Sequence, residues 1–213
     1  MKFVMKRGFQ YELRSWNDMW ELSKEVAHKI RDSKFKPELI IAIARGGLVP
    51  AMNLSDILDV KDILCMRVEH WGKTAQKDKK AKIKTGIYTN IKGKVIILVD
   101  DVADTGESIN ISLKYIESLK PREVKTAVLI YKSQSRFKPD FYGEKTEKWR
   151  WIIFPWNITE DLCNMIEKIS EKKKNLNPME LKDDIKREFN LGLNDVHLNY
   201  AIQEFKKRTH RNY

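Results

Sequence analysis

Three carboxylates fall within five positions of the chain, Asp100, Asp101 and Asp104, and Thr105, Gly106, Glu107 and Ser108 follow directly. They stand just after Val95-Ile96-Ile97-Leu98-Val99, a continuous apolar run that reads as a strand buried on both faces. Ligands of open α/β sheets bind outside the carboxyl ends of such strands, so the run delivers two adjacent acids to a binding edge. A helix predicted from about Gly106 to Leu119 opens beyond the turn, and its first backbone N–H groups make an anion site beside the Thr105 and Ser108 hydroxyls. Acids flanking an anion site make sense for a ligand with both hydroxyls and a phosphate. A sugar phosphate is such a ligand: Asp100 and Asp101 accept from ribose hydroxyls while the loop holds the phosphate. An isolated Asp-Thr-Gly would be only an N-cap and a turn; here three acids stand between a buried strand and a helix start.

The elements that must position this loop are legible around it. Ser15, with Asp18 three residues on, opens a helix in which Trp16, Met19, Trp20, Ala27 and Ile30 keep helical spacing. Pro37 precedes a second buried run, Glu38 to Ala44, broken by Arg45-Gly46-Gly47 before helical spacing resumes from Leu48 to Leu58. Further strands are predicted at Ile63–Val68, Val124–Ile130 and Trp149–Phe154, the last stopped by Pro155, and Lys73–Thr85 reads as a polar, aperiodic mobile loop. Strands alternating with helices imply an α/β fold with a mainly parallel sheet flanked by helices. Glu160 to Lys174 reads as a helix ending in lysines. Two short amphipathic helices joined at Asn190-Leu191-Gly192 follow. A boundary near Asn175 therefore divides a domain at 1–174 from a helical extension at 175–213.

Composition narrows the class. The 213 residues are 42% hydrophobic and 33% charged, with a net charge of +11, which favours anionic partners. From Lys61 to Lys94 there are ten basic residues against three acids, whereas Glu160 to Tyr213 is almost balanced. The basic stretch is either a solvated loop or a flap that gathers a polyanionic substrate. No apolar run reaches bilayer-spanning length, the N-terminus lacks an apolar signal core, and Cys65 and Cys163 fit neither a metal site nor a disulfide framework. A soluble, cytoplasmic protein in a reducing compartment is expected.

The stretch Val95 to Ser108 resembles the phosphoribosyl pyrophosphate (PRPP) motif of the type I phosphoribosyltransferases. Ile41 to Pro50 resembles the pyrophosphate loop of their 6-oxopurine branch, the xanthine, hypoxanthine and guanine enzymes. Lys132 and Trp151-x-x-Phe154-Pro155-Trp156 follow in the same order, so the resemblance covers about Trp16 to Asn157. It implies the fold of that family, with a small hood. By it, Asp100 and Asp101 hold ribose hydroxyls, Asp104 to Ser108 the 5′-phosphate, and Arg45, Gly46 and Gly47 the pyrophosphate. Relatives often have a cis non-proline peptide bond just before the arginine position. Asp104 matches the general base at purine N7. Lys132 matches the donor to the exocyclic oxygen, Trp151 the stacking aromatic, and the Ile152 backbone the reader of the base edge.

The activity implied is transfer of ribose 5-phosphate from PRPP to a 6-oxopurine in purine salvage, with Mg2+ as cofactor and a homo-oligomer as the assembly. Asp100 and Asp101 would meet that metal mainly through PRPP. Asn157 stands where relatives carry an acid linked to metal–pyrophosphate binding, so its part in holding a metal is in question. The segment from Arg67 to Lys84 lacks the Ser-Tyr pair of some relatives; Glu69, His70, Trp71 and Lys73 stand there instead. Two other readings stay open. One is a PRPP-sensing regulatory protein that binds nucleic acid through its basic surface or its last helices; the other is a phosphoribosyltransferase for adenine or a pyrimidine.

Overall fold

The computed structural model describes residues 10–70, 81–173 and 177–209. In chain order its elements are β1 (Tyr11–Leu13), α1 (Trp16–Asp32), β2 (Leu39–Ala44), α2 (Leu48–Leu58), β3 (Ile63–His70), β4 (Ala81–Thr85), β5 (Val95–Ala103), α3 (Glu107–Ser118), β6 (Glu123–Lys132), β7 (Phe141–Thr146), β8 (Trp151–Ile153), α4 (Ile158–Ser170), α5 (Pro178–Phe189) and α6 (Asp195–Thr209). The described residues divide into two compact units, one from Asn17 to Trp149 and the other joining residues 10–16 with Arg150 onward.

The first unit is an α/β sheet in the order β4-β3-β2-β5-β6-β7, parallel except that β4 runs antiparallel to β3. The two longest apolar runs take the centre: β2 is buried from Leu39 to Ile43 and β5 from Val95 to Asp101. Strands shielded on both faces need no polar alternation, which is why these two read as unbroken apolar runs. Ile41, Ile43, Ile96, Leu98 and Val128 from the strands form one core with Ile109 and Ile116 of α3. From β2 the chain steps outward through α2 to β3, then returns on the other side of β2 as β5. That reversal is the topological switch point of the sheet, and the crevice beyond it is where such folds bind ligands.

The second unit pairs β1 with β8 in parallel, Tyr11 opposite Trp151, and packs α4, α5 and α6 around them. Its core joins Ile153 of β8 to Leu162 and Ile166 of α4, Ile185 and Phe189 of α5, and Leu198 and Ala201 of α6. Asn177 caps α5 by accepting from the Met179 N–H at 3.0 Å, with Pro178 in the first turn; Asn190 ends it with φ 52°. Asp184, 2% exposed, is paired with Lys173 at 2.6 Å and with Arg187.

Several boundaries differ from the sequence reading. The structure draws the division after Trp149 rather than near Asn175, because the apolar face of α4 is shared with α5 and α6. The lysines at the end of α4 are exposed there and mark no break between cores. Of the loop expected over Lys73–Thr85, residues 81–85 are strand β4, paired with β3 from Arg67 to His70; residues 71–80 lie outside the described residues. Strands β1 and β7 went unread. β1 is only three residues long and pairs with β8, and β7 is a polar edge strand with Phe141 as its buried residue. Among the described residues no helix is long and apolar enough to cross a membrane.

Phe189 is fully buried and meets Tyr11 of β1 edge-on, with ring centroids 5.3 Å apart. Phe189→Ala should lower the unfolding free energy by about 3–5 kcal/mol in a denaturant titration, the usual cost of emptying an aromatic site. A loss below about 1 kcal/mol would show that α5 is not part of this core.

Candidate active site

Adjacency of β2 and β5 decides what meets at the switch point. Ala42 stands opposite Val99, so the Arg45-Gly46-Gly47 turn leaves β2 beside the strand that carries Asp100 and Asp101. Both acids lie within β5 and are 8% and 9% exposed. The Asp101 N–H donates to Asp100 Oδ1 at 2.9 Å. Burial pushes the Asp100 carboxyl well above the usual range, and the neighbouring Asp101 charge pushes it further. A Cβ on Gly46 would sit 2.1 Å from Asp101 Oδ2, and one on Gly47 2.4 Å from the Val99 carbonyl oxygen. The glycine pair is thus a steric requirement of running the turn against β5. The Ala44–Arg45 peptide bond is cis.

Each turn ends in a helix start that no cap side chain closes: Gly47 before α2, and Gly106, with φ 81°, before α3. A Cβ at Gly106 would also strike Phe137 at 2.4 Å. Glu107 N–H donates to Thr105 Oγ1 at 3.3 Å, and Thr105 and Ser108 sit at the mouth of α3. Two helix N-termini at one sheet edge favour a ligand with anionic groups at separate points.

Asp104 lies just past β5, and Lys132 is the last residue of the neighbouring β6. Lys132 Nζ is 3.1 Å from Asp104 Oδ1; the lysine side chain is 4% exposed and the carboxylate 40%. The same Oδ1 accepts from Gln134 Nε2 at 3.4 Å and from Trp149 Nε1 at 3.2 Å. Lys132 Nζ also lies 4.8 Å from the centre of the Trp149 ring. Gln134 and Trp149 were absent from the sequence-derived site. Gln134 follows Lys132 by two positions and could have been found as a neighbour, whereas nothing local distinguishes Trp149 from a strand residue.

Trp151, Ile152 and Asn157 belong to the second unit. Trp151 lies on β8 with its ring part-exposed and its indole N–H donating to Asp161 Oδ1 at 3.0 Å. Ile152 is buried, its backbone paired with β1 opposite Glu12. Asn157 is the N-cap residue of α4, its side chain making no cap bond. Trp156 stacks on Phe154 at 4.8 Å. Burial raises the Asp161 carboxyl from 3.8 to about 6; Glu160 adds to the shift, while the Trp151 bond and Lys168 oppose it. On β3, Glu69 is occupied by Arg67 at 2.7 Å and by Lys84 of β4 at 2.8 Å, and Trp71 and Lys73 lie outside the described residues.

A family model, the phosphoribosyl transferase domain, matches residues 10–161. The chain belongs to the phosphoribosyltransferase family. A xanthine-guanine phosphoribosyltransferase of Idiomarina loihiensis is 29% identical over 145 residues, covering 68% of this chain and 85% of that one. The crystal structure of a purine phosphoribosyltransferase from Pyrococcus horikoshii is similar with a TM-score of 0.61 and 33% identity, covering 68% of this chain and 93% of that one. A Neisseria gonorrhoeae protein solved with bound ppGpp matches with a TM-score of 0.63 and 26% identity, over 71% of this chain and 92% of that one. The phosphoribosyltransferase match stops in α4, so α5 and α6 lie beyond it.

The raised Asp161 carboxyl carries a sign. Folding holds its proton more tightly than the unfolded chain does, so this group costs stability progressively as pH rises from about 4 through 6. Asp161→Asn keeps an acceptor for the Trp151 N–H and cannot ionise. Its Tm should exceed that of the wild type at pH 8, with the gain vanishing by about pH 4 in a thermal melt. A gain equal at both pH values contradicts the burial of this charge.

Proposed function

We propose that this phosphoribosyltransferase transfers ribose 5-phosphate from PRPP to N9 of a 6-oxopurine (hypoxanthine, guanine or xanthine) with release of pyrophosphate, a purine-salvage reaction. The observation that carries the reading is the buried Lys132 ammonium beside Asp104, one strand away from the Gly46–Asp101 contact. Asp100 and Asp101 hold the ribose hydroxyls. The first-turn amides of α3, with Thr105 and Ser108, take the 5′-phosphate, and Gly46, Gly47 and Arg45 take the pyrophosphate. The bond between C1′ and the pyrophosphate oxygen breaks with its electron pair leaving on pyrophosphate. N9 then supplies the pair for the new C1′–N9 bond, and the proton the purine sheds passes to Asp104. Charge at C1′ grows before the new bond forms, so fixed dipoles and Arg45 on the leaving group lower the barrier.

Lys132 selects the base. An ammonium only donates, so it meets a 6-oxo group as an acceptor and opposes a 6-amino group. Trp151 supplies an exposed aromatic face for stacking, and Ile152 a backbone edge. For Mg2+ the residues fit a metal carried largely by substrate: no group of three His, Cys, Asp or Glu side chains among the described residues could hold one, while Asp100 and Asp101 offer carboxylates beside the phosphate loops. Bound with PRPP, the metal supplies charge neutralisation of the pyrophosphate. Asn157 offers an amide in place of a carboxylate and adds no charge to that task.

A sensor reading draws no support from the last helices. Leu181, Ile185 and Phe189 of α5 and Leu198 and Ala201 of α6 are spent in the core of the second unit, and Lys207 of α6 is paired with Glu204 at 2.6 Å. A PRPP- and Mg2+-dependent assay of pyrophosphate release with hypoxanthine, guanine, xanthine, adenine, uracil and orotate should give turnover with one or more 6-oxopurines and none with adenine. Silence with all six while PRPP still binds overturns the enzyme reading. In the same assay Asp104→Asn should lower kcat by about a hundredfold or more, the usual worth of a general base, with PRPP affinity held. Undiminished turnover removes Asp104 from the role.

A further inference from the structure

We infer that Trp149 is a positioning residue for the Asp104–Lys132 pair, its indole N–H fixing one carboxylate oxygen and its ring carrying the ammonium. The inference rests on the roles proposed above for Asp104 and Lys132. The two hydrogen-bond donors, Gln134 and Trp149, and the Lys132 ammonium all converge on Oδ1 of Asp104, and none of these three is directed at Oδ2. A carboxylate held this way presents Oδ2 as its open acceptor, which is the oxygen a purine proton would reach. Indole N–H donates and never accepts, so Trp149 orients Asp104 without competing for that proton.

The ring face answers a second need. A lysine ammonium buried to 4% exposure requires electrostatic compensation. The Asp104 charge supplies part of it, and the Trp149 face 4.8 Å away supplies more. An aromatic face attracts the cation without accepting a hydrogen bond in the plane of a carbonyl. It therefore leaves the lysine N–H groups available to an exocyclic oxygen, whereas a second carboxylate there would consume them. Trp149 thus touches both groups that are proposed to meet the base.

The two contacts separate by substitution. Trp149→Phe keeps a ring beneath Lys132 and removes the N–H; Trp149→Leu removes both. With the 6-oxopurine that the wild type turns over fastest, Trp149→Phe should lower kcat about tenfold, the scale of one hydrogen bond to a charged group, and leave the KM for PRPP within about twofold. Trp149→Leu should in addition raise the KM for the base several-fold. An unchanged kcat in Trp149→Phe, or a KM for PRPP rising in step with that for the base, overturns the inference. A readout independent of turnover is the indole N–H resonance in 15N-labelled protein, assigned as the peak lost in Trp149→Phe. It should move towards the position of a solvent-exposed indole in Asp104→Ala. A peak that stays in place overturns the inference even if the enzyme is active. A peak that moves in a protein turning over no base retains the Trp149–Asp104 contact and overturns the functional reading instead.

Discussion

The contact between the Gly46 backbone and the Asp101 carboxylate is the constraint on which the rest of the first unit depends. It exists because β2 and β5 are neighbours at the centre of the sheet, and it survives because position 46 has no Cβ. Neighbouring parallel strands separated by a chain reversal place two unrelated turns at one edge. Each turn opens a helix, so two helix N-termini and two buried carboxylates share a small space. Cations and dipoles alone would favour any polyanion. With the acids present, the edge discriminates for an anion that also carries hydroxyls.

Charge burial organises the second feature. Burial and the neighbouring Asp101 charge both push the Asp100 carboxyl up, so its ionised form is costly and hydroxyl donors to it would offset that cost. Lys132 is buried more deeply than most lysines and is balanced by Asp104 and the Trp149 ring. Both arrangements hold costly groups at the sheet edge where the proposed ligand would sit. Asp184, equally buried, differs: two cations already satisfy it, and its work is to tie the segment after α4 to α5.

Much of this was legible in the sequence, and the reason is physical. Strands buried on both faces leave continuous apolar runs, so β2, β5 and β6 and the acids and turns at their ends could be read directly, and Arg45 to Gly47, Asp100 to Ser108 and Lys132 stood out. Strands defined by pairing were not legible: β1 has three residues, β4 is rich in lysine, and β7 lies at a polar edge. The two last helices were recognised from their spacing, but their place was not. Leu181, Ile185 and Phe189 announce an apolar face without naming what covers it, and the answer is α4 and β8. Trp149 escaped for a related reason, since its meaning lies in Asp104, 45 positions away in sequence.

The measurement that bears most directly on the account is calorimetric titration of PRPP with Mg2+ into wild type and Gly46→Ala, each shown to be folded by circular dichroism. A methyl group there meets the Asp101 carboxylate head-on, so displacing it should weaken PRPP binding at least about tenfold, the loss expected when a hydrogen bond to a charged group is misplaced. Equal affinity in the two proteins would mean that the contact between the β2 turn and Asp101 does not build the PRPP site.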